Sequence, residues 1–205
     1  MRLIKERNGK LLEDLRELIY RDPVRITSYK MEKTAERIEN ADELRPDTWE
    51  EFDCGEIWGG DHEYFRFYTE ITIPEEYAGC KVIYELKTGR ERQWDATNPQ
   101  FLAYVNGKIC QGLDVNHREI LLTENAQAGQ TYRLLLSAYT GDRLFDLKLD
   151  SEIKVLESSV EKLYYDLRVP YDVARMLDTS SDEYICIQNA VTEALNRVDF
   201  RVSYS

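Results

Sequence analysis

Three stretches of this chain alternate apolar and polar side chains with a period of two, a pattern that suits a half-buried strand and no helix. In YFRFYTEITI, residues Phe65, Phe67, Thr69, Ile71 and Ile73 fall on one face, and Tyr64, Arg66, Tyr68, Glu70 and Thr72 on the other. TYRLLLSAY places Tyr132, Leu134, Leu136 and Ala138 together. FDLKLDSEIKV sets Phe145, Leu147, Leu149, Ile153 and Val155 against Asp146, Lys148, Asp150, Glu152 and Lys154. Shorter strands are predicted at Lys81–Leu86, Phe101–Val105, Lys108–Cys110 and Glu119–Leu122. VNGK, Val105 to Lys108, is the strongest hairpin signal, because Asn-Gly suits a type I′ turn. Many short alternating strands without helices between them predict a mainly β fold, an antiparallel β-sandwich.

Helical periodicity brackets this region. Leu3, Leu11, Leu12, Leu15, Leu18 and Ile19 predict an amphipathic helix over Arg2–Tyr20, weakened by Gly9 and ended by RDP at Arg21 to Pro23. Beyond Leu156, Ser158 or Ser159 is expected to cap a helix carrying Val160, Leu163, Tyr164, Leu167, Tyr171, Ala174 and Leu177, with Pro170 kinking or splitting it. TSSDE at Thr179 to Glu183 caps a second helix through Ile187, Ala190, Val191, Ala194, Leu195 and Val198. The expected organisation is an N-terminal helix over residues 1–22, a β-sandwich over 23–156 and a helical segment over 157–205.

Charge narrows the partners. Thirty-nine acidic against 27 basic residues give a net charge of −12, a field that repels phosphate backbones and anionic lipid headgroups. Neither nucleic acid nor membrane is an expected partner. The N-terminus lacks the apolar run and cleavage site of a signal peptide, so the cytoplasm is the expected location and Cys54, Cys80, Cys110 and Cys186 are expected as buried free thiols.

No catalytic motif is legible. The two histidines, His62 and His117, are 55 positions apart, no two cysteines pair at zinc-ligand spacing, and G-x-S-x-G is absent. Catalytic residues and metal ligands are therefore expected to be none in this chain. Two features carry binding chemistry. Trp49 and Trp58, in DTWEEFDCGEIWGG, and Trp94 are candidates for stacking on sugar rings, against the alternative that Trp49 and Trp58 plug the core or its rim. GLDVNHRE supplies Asp114, Asn116, His117, Arg118 and Glu119, a dense polar loop between two strands. Such a loop either bonds to itself, with Asp or Asn pinning backbone amides, or pairs with a neighbouring domain.

The runs EIWGGDHEYFRFYTEITIPEEYAG, FLAYVNGKICQGLDVNHREILL and LLLSAYTGD resemble the N-terminal β-domain of family 38 glycoside hydrolases, the α-mannosidases of bacterial and vacuolar/cytosolic type. VEKLYYDLRVPYDVARML is similar to the helical segment that follows it in those enzymes. KTGRERQWDATNPQ departs from the pattern by its length, and Pro170 by interrupting the helix. The resemblance implies a galactose-binding-domain-like jelly roll flanked by helices, leading into a catalytic barrel that carries a zinc ion and an aspartate nucleophile. The family's H-x-D zinc motif has no counterpart here. The expected function is thus a non-catalytic domain of a zinc-dependent, retaining α-mannosidase. It would act on terminal α-mannosides of mannose-containing glycans, pack against the downstream catalytic domain through the Asp114–Glu119 loop and terminal helices, and take part in homo-oligomer contacts. The alternative is a stand-alone carbohydrate-binding module that uses the tryptophans.

Overall fold

A computed structural model describes residues 2–35, 44–91 and 98–200. They form helix α1 (Arg2–Glu17), strands β1 (Tyr20–Ile26), β2 (Ser28–Thr34), β3 (Glu50–Asp53), β4 (Trp58–Gly60), β5 (Tyr64–Thr72), β6 (Val82–Lys87), β7 (Gln100–Val105), β8 (Lys108–Leu113), β9 (Glu119–Thr123), β10 (Thr131–Tyr139), β11 (Leu144–Leu147) and β12 (Asp150–Leu156), then helices α2 (Ser158–Ala174) and α3 (Asp182–Asn196). Two compact units result, Met1–Arg21 with Leu156–Ser205, and Asp22–Val155.

The second unit is an antiparallel sandwich. One sheet runs β3-β2-β5-β10-β7-β8, the other β1-β12-β6-β9, and β11-β4 forms a small third. The inward residues of both large sheets, among them Phe67, Leu134, Leu136, Tyr84, Leu86 and Ile153, fuse into one apolar core. The alternation read in β5, β10 and β12 is the face that fills it. Asn106 and Gly107 both have positive φ, 51° and 79°, as the type I′ turn joining β7 to β8 requires. Ser151 is polar yet faces inward. Its Oγ lies 2.5 Å from the Tyr29 hydroxyl, which also lies 3.0 Å from that of Tyr84, so the core carries a satisfied polar triad. Burial pushes both phenols well above their ordinary pKa.

Several local expectations are corrected. Phe145 does not share the core face: FDLKLDSEIKV breaks into β11 and β12, and Phe145 is 62% exposed. RDP does not end α1. The helix stops at Glu17, tightened by Leu18 and Ile19 N–H groups bonding three residues back, and Pro23 lies inside β1. β1 is the outer strand of its sheet, where a missing N–H is tolerated. Cys110 and Cys186 are exposed rather than buried, and Cys54 and Cys80 are half-buried; no disulfide joins any of them among the described residues. Burial, with the Asp150 charge, raises Cys54 to about 11, away from reactive thiolate.

In the first unit three helices pack together. Asn8, Leu12, Leu15 and Ile19 are the buried positions of the α1 segment, whereas Leu3 is exposed. Gly9 admits the Tyr171 ring, whose hydroxyl would lie 2.8 Å from a Cβ there and which donates to the Lys5 carbonyl at 3.0 Å. Neither Ser158 nor Ser159 caps α2; Glu157 holds that position and makes no side-chain cap bond. Pro170 does not split α2, because Tyr171 and Ala174 just beyond it are buried, and their packing outweighs one lost backbone bond. Ser181 caps α3 by accepting from the Tyr184 N–H at 3.2 Å, as TSSDE predicts. The buried face of α3 is Tyr184, Gln188, Val191 and Leu195, rotated from the expected one. The Asn8 amide nitrogen donates to Thr192 Oγ1 at 2.8 Å and reaches the Gln188 side-chain oxygen at 3.4 Å, which sets the register of α1 against α3.

Candidate functional site: the Asp114–Glu119 loop and the tryptophans

The polar loop between β8 and β9 is organised by its own aspartate. Asp114 Oδ1 accepts the backbone N–H groups of Asn116 and His117, both at 2.7 Å, and the Asp114 N–H donates to the His117 carbonyl at 2.9 Å. The His117 Nδ1 lies 3.1 Å from the same carboxylate. Val115 is buried and anchors the loop, while the His117 side chain is 75% exposed. Partial burial pushes the Asp114 carboxyl up, but the amides of His117 and Asn116 and the His117 ring outweigh it and hold the carboxyl below its ordinary value. A depressed carboxylate pKa means that this contribution is present above about pH 4 and lost as pH falls through the folded value. Asp114→Ala is expected to cost about 1 kcal/mol and to abolish that acid-side loss in the loop's amide resonances, read by NMR across pH 2–6.

Beyond the turn the loop ties into the sheets. The Arg118 carbonyl accepts from the Leu86 N–H at 2.8 Å, and the Glu119 carbonyl accepts from the Gln111 side-chain amide at 2.7 Å. The Arg118 guanidinium lies 3.3 Å from Glu85, a carboxylate only 3% exposed. Asn116 points outward and accepts no role in the turn beyond its amide. The structure therefore brings Asp114, Asn116 and His117 into one turn, and sends Arg118 to a buried acid of β6.

Trp58 and Trp49 are not sugar platforms. The Trp58 indole is 4% exposed and meets Phe67, Phe65 and Phe101 edge-on, at centroid distances of 5.0, 5.2 and 5.8 Å. Trp49 is 9% exposed and packs with Tyr104 and Leu135 on the outer side of the larger sheet. Neither offers an open ring face, and burial of their large apolar area decides the matter. Trp94 lies outside the described residues.

Two groupings escaped the sequence reading. Asp61, His62 and Asp142 gather on an exposed rim formed by the turns after β4 and β10. His62 Nδ1 is engaged by the Tyr139 hydroxyl at 2.6 Å. The second grouping is a trough of about 480 Å³ on the outer face of β5, β10 and β7, bordered by Tyr64, Gln100, Leu102, Tyr104, Ser137 and Tyr139. Its only sequence signal was the outward set of aromatics within the alternating strands.

Among the described residues no helix is long and apolar enough to cross a membrane. No curated protein matches the chain. Among solved structures it is similar to the β-glucuronidase of Ruminococcus gnavus in complex with uronic deoxynojirimycin, at 11% identity and a TM-score of 0.47, over 67% of this chain and 29% of that one. It is also similar to the β-glucuronidase of Faecalibacterium prausnitzii, at 9% identity and a TM-score of 0.47, over 66% of this chain and 32% of that one. The chain spans less than a third of either protein. The family model for the jelly roll domain of α-mannosidase matches residues 22–167, which takes in the sandwich, the histidine loop and the start of α2. This chain belongs to the α-mannosidase jelly roll domain family.

Proposed function

We propose that the chain is the non-catalytic jelly roll domain of a cytoplasmic, zinc-dependent, retaining α-mannosidase. In this reading it packs against the downstream catalytic domain and supports its action on terminal α-mannosides of mannose-containing glycans. What supports the reading above all is the family match over residues 22–167. The zinc belongs to the downstream domain in this account. Asp61, His62 and Asp142 stand on an exposed rim without the dry, walled cavity that a catalytic zinc requires. No step of hydrolysis is assigned to this chain.

The interface is assigned to the His117 loop. Asp114 holds the turn through backbone amides, and the His117 ring, although its Nδ1 faces that carboxylate, is exposed enough to meet another surface. In the 205-residue chain, His117→Ala is expected to change stability by less than about 0.5 kcal/mol, as for most surface positions. In the polypeptide that includes the catalytic domain, the same change is expected to lower melting temperature and α-mannosidase activity together. Equal, negligible effects in both contexts would remove the interface from the proposal. Sedimentation of the longer polypeptide, with and without the substitution, reads whether the same loop also joins copies.

A further inference from the structure

The outer face of the larger sheet is not flat. Cross-strand register places Tyr64 opposite Tyr139, Arg66 opposite Ser137 and Tyr68 opposite Leu135 between β5 and β10. On the far side, β7 sets Gln100 beside Tyr139, Leu102 beside Ser137 and Tyr104 beside Leu135. Ser137 is the small member of the middle row, so the bulky rows on either side stand above it. Gly112, paired with Leu102, leaves the β8 end of the middle row open. The result is a trough floored by Ser137 and Leu102, walled by Tyr64 and Tyr139 on one side and bounded by Tyr104 on the other.

The walls are stiffened. The Tyr64 and Tyr139 rings lie 5.0 Å apart at 35°, and His62 stacks on Tyr139 at 6.1 Å while bonding its hydroxyl. Tyr104 is wedged against Trp49 and Leu135. Among the described residues no charged side chain lines the trough, in a chain of which 32% is charged. Arg66, next to the floor, is committed to Glu32 at 2.9 Å.

An uncharged trough that combines aromatic walls with a hydroxyl and an amide matches one ligand chemistry closely. A neutral pyranose has an apolar C–H face for the rings and hydroxyl edges for Ser137 and Gln100, and a volume of about 480 Å³ falls within the range of small-molecule sites. We propose that this trough is a binding site for a neutral hexopyranoside. Its aromatic contacts come from Tyr64 and Tyr139 and its polar contacts from Ser137 and Gln100. The choice of a mannoside as probe rests on the α-mannosidase reading; the trough itself does not.

The test is a titration of the 205-residue chain with methyl α-D-mannopyranoside, followed by NMR of the tyrosine rings and of the Gln100 side-chain amide. Saturable shifts at Tyr64, Tyr139 and Gln100, with a Kd on the order of millimolar, are expected. Ser137→Leu raises the floor from an outward position and is expected to weaken binding at least about tenfold. Tyr64→Ala serves the same purpose if the leucine variant fails to fold. Methyl β-D-glucuronide, which is anionic, is expected to leave the spectrum unchanged, since no cation among the described residues lines the trough and the chain carries a net −12. Absence of saturation by the mannoside, binding undiminished in a folded variant, or equal binding of the glucuronide would each overturn the assignment. None of these outcomes bears on the His117 comparison, which measures contact between domains.

Discussion

Trp58→Ala is expected to cost about 4 kcal/mol of folding stability, within the range for removing a large buried aromatic. For a protein of this size that corresponds to a fall in melting temperature of roughly 10 °C or more. The indole fills the centre of the core and contributes three edge-to-face contacts, each of which disappears with the ring. Its Nε1–H is buried and makes no hydrogen bond among the described residues, a cost that the folded state already carries. Trp58→Phe removes that orphan donor along with part of the volume. The phenylalanine variant is therefore expected to lose far less, about 1 kcal/mol. Chemical denaturation of both variants checks the pair. A loss below 1 kcal/mol for the alanine variant would mean that the indole stands in solvent, and the ring would return as a candidate for stacking on sugar.

The second large effect is expected at Glu85. Register aligns Glu152, Glu85 and Glu119 directly across β12, β6 and β9, three like charges in one row. Cations from the neighbouring rows resolve the repulsion. Lys154 pairs with Glu85 and lies 3.2 Å from Glu152, Lys87 lies 3.5 Å from Glu85 and 2.8 Å from Glu152, and Arg118 reaches Glu85 at 3.3 Å. Glu85 and Lys154 are both buried, at 3% and 9% exposure, so the network is paid for in desolvation and returns it only when complete. Glu85→Ala breaks the centre and leaves a buried ammonium with one fewer partner; about 3 kcal/mol is the expected loss. Replacing the pair, as in Glu85→Met with Lys154→Met, is expected to recover most of it, because two apolar side chains of similar length need no compensation. Denaturation midpoints of the single and double variants decide between a stabilising pair and a matched burden. A double variant no better than the single one would show that the network contributes net stability.

The Glu85 row also explains why the histidine loop reads as it does. Arg118 is drawn inward by a buried acid, Glu119 lies in β9 opposite that acid, and Asp114 pins the turn, so three of the five polar residues singled out there have work within the sandwich. His117 and Asn116, which remain outward, are the ones on which an interdomain role turns.

What the amino-acid sequence determined by itself is whatever depends on neighbours a few positions away. Alternation in β5, β10 and β12 fixed which side chains enter the core, Asn106-Gly107 fixed the hairpin, and Ser181 started α3. Each of these follows from backbone geometry over two to four residues, with no distant partner required. The tertiary structure decided the rest. Pro23 looks locally like a helix stop but lies in an outer strand, because β12, more than a hundred residues on, offers Tyr20–Ile26 a partner. Trp58 was a candidate for solvent, and three phenylalanines from β5 and β7 enclose it. Glu85 is buried in β6 only because Lys154 and Arg118, from distant parts of the chain, stand beside it. The trough over Ser137 exists only because register puts a serine between rows of rings on three strands. Burial and pairing of a single side chain are set by which strands lie alongside and in which register, and that information is spread over the whole chain.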